Sequence, residues 1–176
     1  SDGISLISKR TDKFLLYFDL DIKFAMPGSD TWPTFQRDAA GLVFATVARV
    51  FPDAAAKGLE MTVCATEKPR YIVSKLKVNG DHVDKEVEKW GMHLYFPDVV
   101  VSFREAVVLV DTITQKARET YGERDLPQGE NPWTDLFDSS VYRTGLRDCF
   151  TFKVNSCRCF DFSSYYVPKW IVSSAG

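Results

Sequence analysis

The length, composition and charge of the chain exclude several classes of protein. With 176 residues, 45% of them hydrophobic, the chain can bury one core but is too short for two ordinary domains, so residues 1–176 are predicted to form one unit. A net charge of -2 argues against a protein that coats nucleic acid along its whole surface, although it leaves room for a local basic groove. No apolar run approaches the roughly 18 residues of a membrane span, and the first residues lack the apolar core of a signal peptide. We therefore expect an intracellular protein without a membrane partner.

The apolar stretch 13–24, KFLLYFDLDIKF, contains two aspartates, Asp19 and Asp21, separated by one residue. Side chains alternate between the two faces of a strand, so both carboxylates are predicted to point the same way. Two like charges on one face repel each other unless a cation lies between them or one takes up a proton. Hard divalent ions such as Mg²⁺ or Mn²⁺ suit such a pair. The alternative is an edge strand whose aspartates face water.

The next stretch of the chain alternates between turn signals and periodic apolar segments. Residues 25–33 are rich in Pro, Gly, Ser and Asp and predict a loop. Apolar residues then recur at helical spacing over 34–50. Residues 59–66 and 71–78 predict two strands, and a turn is predicted at 79–81.

A polar segment, 81–88, is predicted to lead into a strand over 89–97. The polar face of that strand carries Lys89, Gly91 and His93 in sequence. A cation and an imidazole suit an anionic ligand, and a glycine between them lets the ligand approach the backbone closely. The alternative is a structural histidine in an apolar strand.

A second long helix is predicted after the capping box formed by Ser102 and Glu105. Its apolar positions recur at helical spacing up to Tyr121, and Gly122 provides a stop signal. Residues 123–133, with two prolines and a glycine, predict a loop.

The stretch 134–153 contains an aspartate, Asp138, directly after an apolar pair. An aspartate before Ser-Ser would ordinarily be a turn or cap residue. The basic residues that follow it are Arg143, Arg147 and Lys153, and Arg147 and Lys153 are expected to lie together on the strand after Asp138. The final apolar segment, 160–172, is rich in aromatic and β-branched residues and predicts a strand.

The four cysteines are too few and too irregularly spaced for a disulfide framework. They are Cys64, Cys149, Cys157 and Cys159. Cys157 and Cys159 could provide half of a zinc site, but no second Cys or His pair with ligand spacing follows. Reduced thiols are therefore predicted.

Three stretches, in this order, resemble the archaeo-eukaryotic primase superfamily, in particular the primase-polymerase (PrimPol) branch shared by eukaryotes and large DNA viruses. Residues 17–30 are similar to its Asp-x-Asp/Glu strand and the loop that follows. Residues 89–96 are similar to its Lys-x-Ser-x-His strand, which contacts the incoming nucleotide, with Gly91 replacing the usual Ser. This replacement removes one hydroxyl contact. Residues 138–153 are similar to the segment with the third metal-binding Asp and the Arg and Lys that bind triphosphate.

The resemblance implies an α+β fold in which an N-terminal α/β module and an RRM-like sheet enclose the catalytic cleft. It implies that Asp19, Asp21 and Asp138 are catalytic and bind two divalent ions, Mg²⁺ or Mn²⁺. The nucleotide-binding residues that it implies are Lys89, Gly91, His93, Arg143, Arg147 and Lys153. The reaction would be template-directed addition of NTPs or dNTPs to a nucleic-acid 3′-hydroxyl, on a single-stranded DNA template with or without a primer. An accessory zinc or helicase region outside this chain would be an expected partner.

Three other functions remain as alternatives. A metal-dependent glycosyltransferase also holds a nucleotide diphosphate with an Asp-x-Asp pair, but it leaves the later two stretches unexplained. A haloacid-dehalogenase phosphatase is disfavoured because Lys23 stands where that family has Thr or Val. A catalytically silent nucleic-acid-binding module would keep the acidic pair for structural reasons.

Overall fold

The computed structural model describes residues 7–8, 11–24, 31–78, 81–124, 131–144, 146–147, 153–154, 160–161 and 166–174. The helices of this part are α1 (Thr31–Val50), α2 (Pro52–Ala56), α3 (Phe103–Tyr121), α4 (Trp133–Leu136) and α5 (Val141–Thr144). Its strands are β1 (Ile7–Ser8), β2 (Lys13–Phe24), β3 (Glu60–Thr66), β4 (Arg70–Val78), β5 (Asp81–Ser102), β6 (Leu146–Arg147), β7 (Lys153–Val154), β8 (Phe160–Asp161) and β9 (Tyr166–Ser173). None of these helices is both long enough and apolar enough to cross a membrane.

An antiparallel five-stranded sheet forms the centre of the described structure. Its strands are ordered β2-β5-β3-β9, and β4 pairs with the first half of β5. Two short antiparallel pairs, β1 with β6 and β7 with β8, lie outside this sheet. Helices combined with an antiparallel sheet confirm the predicted α+β class. The arrangement into an α/β module and an RRM-like sheet with a cleft between them stays a prediction.

Strand β5 is longer than the sequence pattern indicates. The sequence pattern begins the strand at residue 89, but the polar segment 81–88 that leads into it already belongs to β5 and pairs with residues 71–78 of β4. Charged residues lie on both faces of this half of the strand, so the segment has no apolar alternation. The backbone ladder to β4 forms nonetheless, since it does not depend on side-chain polarity.

The core lies on the face of β2 and β5 that the alternation predicts. Leu20 and Ile22 of β2 and Leu94 of β5 are fully buried. Helices α1 and α3 contribute buried apolar residues to the same cluster. Phe44 of α1 stacks on Phe96 of β5 with ring centroids 6.4 Å apart. The opposite face of β2 and β5 is therefore left for polar chemistry.

Helix boundaries largely follow the predicted signals. Helix α1 begins at Thr31, three residues before the predicted start. Pro33 is tolerated there because the first turn of a helix needs no backbone N–H donor at that position. Helix α3 has the predicted capping box of Ser102 and Glu105, and Gly122 ends it with φ of 77°.

Two further predictions concern the C-terminal segment and the cysteines. The strand predicted over 160–172 corresponds to β8 and β9, and residues 162–165 between them lie outside the described residues. Cys64 is disulfide-bonded, so the prediction of reduced thiols is wrong at this position. The predicted zinc half-site of Cys157 and Cys159 lies outside the described residues.

Candidate functional site

The register of β2 against β5 brings the first two predicted stretches together. Directly opposed residues of antiparallel strands point to the same face. The polar face of this strand pair is therefore built from residues about 70 positions apart in the chain. The opposed pairs are Asp19 with His93, Asp21 with Gly91, and Lys23 with Lys89.

Both carboxylates on this face lie next to a nitrogen of the opposite strand. The Lys89 Nζ lies 2.6 Å from Asp21 Oδ2. The His93 Nε2 lies 3.4 Å from Asp19 Oδ1. The sequence predicted that Lys89 and His93 face an anionic ligand, and in this structure they face the two aspartates. The positive charge of Lys89 offsets part of the repulsion between the carboxylates.

One carboxylate oxygen of Asp19 is buried without a hydrogen bond. Among the described residues, Asp19 Oδ1 has no hydrogen-bond partner. A buried carboxylate oxygen without such a partner is costly unless a cation compensates it. Carboxylate oxygens are the donors that Mg²⁺ and Mn²⁺ prefer. Asp19 and Asp21 therefore fit a divalent cation.

His93 is enclosed on all the sides that the structure describes. Only 1% of its side chain is exposed. Its Nδ1 lies 3.2 Å from Tyr95 Oη, within hydrogen-bond distance. Its ring stacks on that of Tyr166, with centroids 3.6 Å apart and an interplanar angle of 17°. In this conformation His93 contacts side chains rather than solvent.

The space over Gly91 is filled by Tyr166. A Cβ atom placed on Gly91 would lie 2.1 Å from Tyr166 Oη and 2.8 Å from its Cζ, far inside the contact limit. The sequence predicted a close approach to the backbone at Gly91, but it assigned that approach to a ligand. A glycine inside a strand signals close approach without identifying what approaches, so Tyr166 could not be found from the sequence.

The outer edge of β2, opposite to the one that pairs with β5, is also closed. The backbone carbonyls of residues 17, 19, 21 and 23 each accept a hydrogen bond there. Their donors are, in the same order, Tyr142 Oη at 2.8 Å, Asp138 N at 2.9 Å, Asn131 Nδ2 at 2.6 Å and Arg124 Nη2 at 2.7 Å. The Asn131 side chain also accepts a bond from Lys23 N at 2.9 Å. An amide side chain thus pairs with this edge as a peptide group would.

Asp138 lies beside the first pair through its backbone. Its N–H donates to the Asp19 carbonyl, and an isolated bridge joins Phe137 to Leu20. Its Oδ1 accepts a hydrogen bond from Ser140 N at 2.8 Å, which closes a turn. In the part of the chain that the structure describes, no three His, Cys, Asp or Glu side chains are grouped closely enough to hold a metal ion. The role of Asp138 as a third metal ligand stays a prediction.

The predicted basic residues after Asp138 lie on different elements. Arg143 is exposed on α5. Arg147 lies in β6, which pairs with β1, and Lys153 lies in β7, which pairs with β8. The expectation that both follow Asp138 on one strand is therefore wrong, because the chain enters two separate strand pairs. The side chains of Arg147 and Lys153 lie outside the described residues.

The sequence matches the model of a known protein family. The family model of the C962R protein N-terminal AEP domain matches residues 4–147. The chain belongs to this archaeo-eukaryotic primase (AEP) family. The matched residues include Asp19, Asp21, Lys89, His93 and Asp138. No curated protein and no solved structure is significantly similar to the chain.

Arg124 anchors the AEP domain beside the outer edge of β2. Its guanidinium lies 5.3 to 5.7 Å from the ring centroids of Phe24, Phe35 and Trp133. It also donates to the carbonyl of Asn131 at 2.7 Å. A cavity of about 200 Å³ lies next to it, and none of its described lining residues is a predicted site residue. The sequence predicted only a loop here, since the partners of Arg124 are distant in the chain.

Two buried tyrosines connect β2 of the AEP domain to α5. Tyr17 Oη donates to the Val141 carbonyl at 3.0 Å, and Tyr142 Oη donates to the Tyr17 carbonyl. Burial raises the pKa of the Tyr142 hydroxyl well above its ordinary value, and the nearby Tyr17 and Asp19 raise it further. Tyr142 thus stays protonated and keeps its hydrogen bond across the ordinary pH range.

Proposed function

We propose that this AEP domain catalyses template-directed nucleotidyl transfer, adding nucleotides from NTPs or dNTPs to a nucleic-acid 3′-hydroxyl. The observation that supports this most is the opposition of two carboxylates and two basic side chains on one sheet face. Asp19 and Asp21 lie on β2, and His93 and Lys89 face them from β5. Membership of the AEP family favours the same class of reaction.

Nucleotidyl transfer depends mainly on positioning and on charge stabilisation. Divalent ions, Mg²⁺ or Mn²⁺, would activate the attacking hydroxyl and stabilise the leaving pyrophosphate. Asp19 and Asp21 would hold them, and the Oδ1 of Asp19, which is buried and accepts no hydrogen bond, suits this role. Asp138, whose backbone is bonded to that of Asp19, is the proposed third ligand.

The triphosphate would be bound by basic residues around the carboxylates. Lys89 is the described cation nearest to them and would neutralise a phosphate oxygen. His93 and Gly91 lie on the same strand face, where Tyr166 packs against both of them. Arg143, Arg147 and Lys153 are the remaining proposed contacts. Single-stranded DNA, with or without a primer, is the proposed second substrate, and a local basic groove can bind it despite the net charge of -2.

One observation favours a second function, that of a catalytically silent nucleic-acid-binding module. The 2.6 Å contact between Lys89 and Asp21 is also what a structural salt bridge would show. In that case the acidic pair would stabilise the sheet and would bind no metal. A test of metal-dependent catalysis separates the two functions.

A primer-extension assay on single-stranded DNA, with Mg²⁺ and with Mn²⁺, tests the proposal. We expect extension or priming by the wild type that requires a divalent ion and is lost in Asp21→Asn. The matched control is Asp98→Asn, because Asp98 is an exposed aspartate of the same sheet. A panel of sugar nucleotides tests the glycosyltransferase alternative. Metal-independent DNA binding without nucleotide addition would support the silent module and contradict the proposal.

A further inference from the structure

Tyr166 reaches the candidate site from a strand that the family match does not include. The match covers residues 4–147, and Tyr166 begins β9. Tyr166 is paired in register with Thr66 of β3. Thr66 Oγ1 in turn accepts a hydrogen bond from Gly91 N at 3.3 Å. The tyrosine therefore crosses over β3 to reach the centre of β5.

The position of Tyr166 is possible only because residue 91 is glycine. Any Cβ at this position would overlap the rigid end of the phenol ring, at 2.1 Å from Oη and 2.8 Å from Cζ. Tyr166 is 4% exposed, so the ring has little space in which to move away. Gly91 and Tyr166 are therefore a matched pair.

The ring of Tyr166 fixes the plane of the His93 imidazole. The two rings are stacked at 3.6 Å, close to van der Waals contact. Tyr95 lies at the Nδ1 side of the imidazole, which leaves the Nε2 side directed at Asp19. The contacts thus continue from Tyr166 through His93 to Asp19 Oδ1, which is buried, has no hydrogen bond, and lies 3.4 Å from His93 Nε2.

We propose that Tyr166 is a positioning residue of the site, which holds His93 against Asp19 and so fixes the Asp19 carboxylate for a divalent cation. This rests on the proposed function in its last step only, the binding of the cation. It gives His93 a different role from the nucleotide contact that the sequence predicts. The glycine at position 91, where the resemblance implies a serine, then makes room for the tyrosine.

The packing step is tested by proton NMR of the His93 ring. The chain has two histidines, so His82→Gln assigns the signals. A ring stacked on Tyr166 should have upfield-shifted protons. We expect this shift to persist in Tyr166→Phe, which keeps the ring, and to disappear in Tyr166→Leu and in Gly91→Ser. An unshifted wild-type signal, or one that Tyr166→Leu leaves in place, would overturn the proposed packing.

The positioning step is tested by measuring the affinity of the protein alone for Mn²⁺ with isothermal titration calorimetry. Loss of a group that orients a metal ligand costs about 10- to 100-fold in metal affinity, and we expect this loss in Tyr166→Leu and in Gly91→Ser. The double variant Gly91→Ser/Tyr166→Leu should lose no more than either single variant, because both remove the same contact. Tyr166→Phe should restore most of the affinity.

Tyr71→Leu is the matched control, since it makes the same substitution at a tyrosine of the sheet that is 56% exposed. Thermal melting of every variant shows that it is folded. Equal Mn²⁺ affinity of the wild type and of Tyr166→Leu would overturn the positioning role alone. Wild-type protein that neither binds Mn²⁺ nor extends a primer would overturn the proposed function together with this role.

Discussion

The two edges of strand β2 are closed in different ways. Its inner edge pairs with β5 in a regular antiparallel register from Lys13 to Phe24, with one irregularity between Leu15 and Leu16. Its outer edge has no comparable strand in the described structure. There, four successive outward carbonyls are bonded by one backbone N–H and by the side chains of Tyr142, Asn131 and Arg124.

The two edges of β2 therefore have different roles, because the inner edge forms the polar site and the outer edge supports the strand. The inner edge sets which residues of β5 face the two aspartates. The outer edge fixes the backbone of the strand that carries them, and it brings Asp138 next to Asp19. An exposed strand edge would leave backbone groups free to pair with other chains. The side chains that cover it thus protect and hold the acidic strand.

The inner edge is tested most strongly by Asp21→Asn and Asp19→Asn. Each removes a negative charge from the polar face while keeping the size of the side chain. Nucleotide addition should fall by about 100-fold or more, the scale found when a group that stabilises developing charge is removed. Primer extension by purified variants measures this. Because Lys89 and Asp21 are partly exposed, loss of their ion pair should change the unfolding free energy by only about 0–1 kcal/mol. A variant that keeps its activity would refute the catalytic assignment.

The outer edge is tested by Asn131→Ala. The substitution leaves the Asp21 carbonyl and the Lys23 N–H without their partner. Each buried unpaired group costs about 1–3 kcal/mol, so we expect a loss of about 2–6 kcal/mol in the unfolding free energy from the two groups together. Urea denaturation measures it, and hydrogen exchange at Lys23 N should become faster. The control is Thr134→Ala, at an exposed position of the same segment, which should change stability by less than about 0.5 kcal/mol. Equal stability of both variants would mean that the outer edge is not held by Asn131.

A smaller effect is expected for Tyr142→Phe, which removes one hydrogen bond from the outer edge. The expected loss is about 0.5–1.5 kcal/mol at neutral pH. The folded-state pKa of Tyr142 is raised, so its contribution is fully present below the ordinary tyrosine pKa and is lost as the pH rises through the folded value. Wild-type stability should therefore decline more steeply above about pH 10 than that of Tyr142→Phe. Parallel declines of the two melting temperatures with pH would contradict this role of Tyr142.

The smallest effect is expected at a locally encoded feature, the cap of α3, whose Ser102 pairs with Lys13 at the end of the inner edge away from the aspartates. Ser102→Ala removes the cap, which should cost about 1 kcal/mol of stability without affecting nucleotide addition. Hydrogen bonds from Ser102 lower the pKa of Glu105, so that stabilising contribution is present at neutral pH and is lost as the pH falls through the folded value. Denaturation at pH 7 and pH 3 checks both statements. A marked loss of activity would show that α3 contributes to the site.

Sequence reasoning could predict the features that alternation and capping encode. The strand over 13–24, the shared face of Asp19 and Asp21, and the capping box of α3 follow from short-range patterns and are confirmed. The polar half of β5 was missed because its charges hide the period of two. A strand with charged residues on both faces has no sequence pattern that identifies the strand with which it pairs.

The contacts that join distant parts of the chain could not be predicted. Asn131 is 110 residues from Asp21, and no local pattern distinguishes it from other loop asparagines. The contact made by Tyr166 has one indirect signal in the sequence, the glycine at position 91. Only the fold shows that Tyr166 is the residue that approaches this glycine. The disulfide at Cys64 was missed for the same reason, since spacing alone does not show which residues meet in space.

The central claim, that Asp19 and Asp21 hold divalent ions for nucleotidyl transfer, is tested most directly by a crystal structure with Mn²⁺ and a non-hydrolysable nucleotide. Anomalous scattering identifies the metal without ambiguity. The account predicts Mn²⁺ bound by oxygens of Asp19 and Asp21, with Asp138 as a ligand directly or through one water, and with Lys89 on a phosphate oxygen. A structure in which Lys89 still contacts Asp21, and in which neither metal nor nucleotide lies on the polar face of β2 and β5, would contradict it.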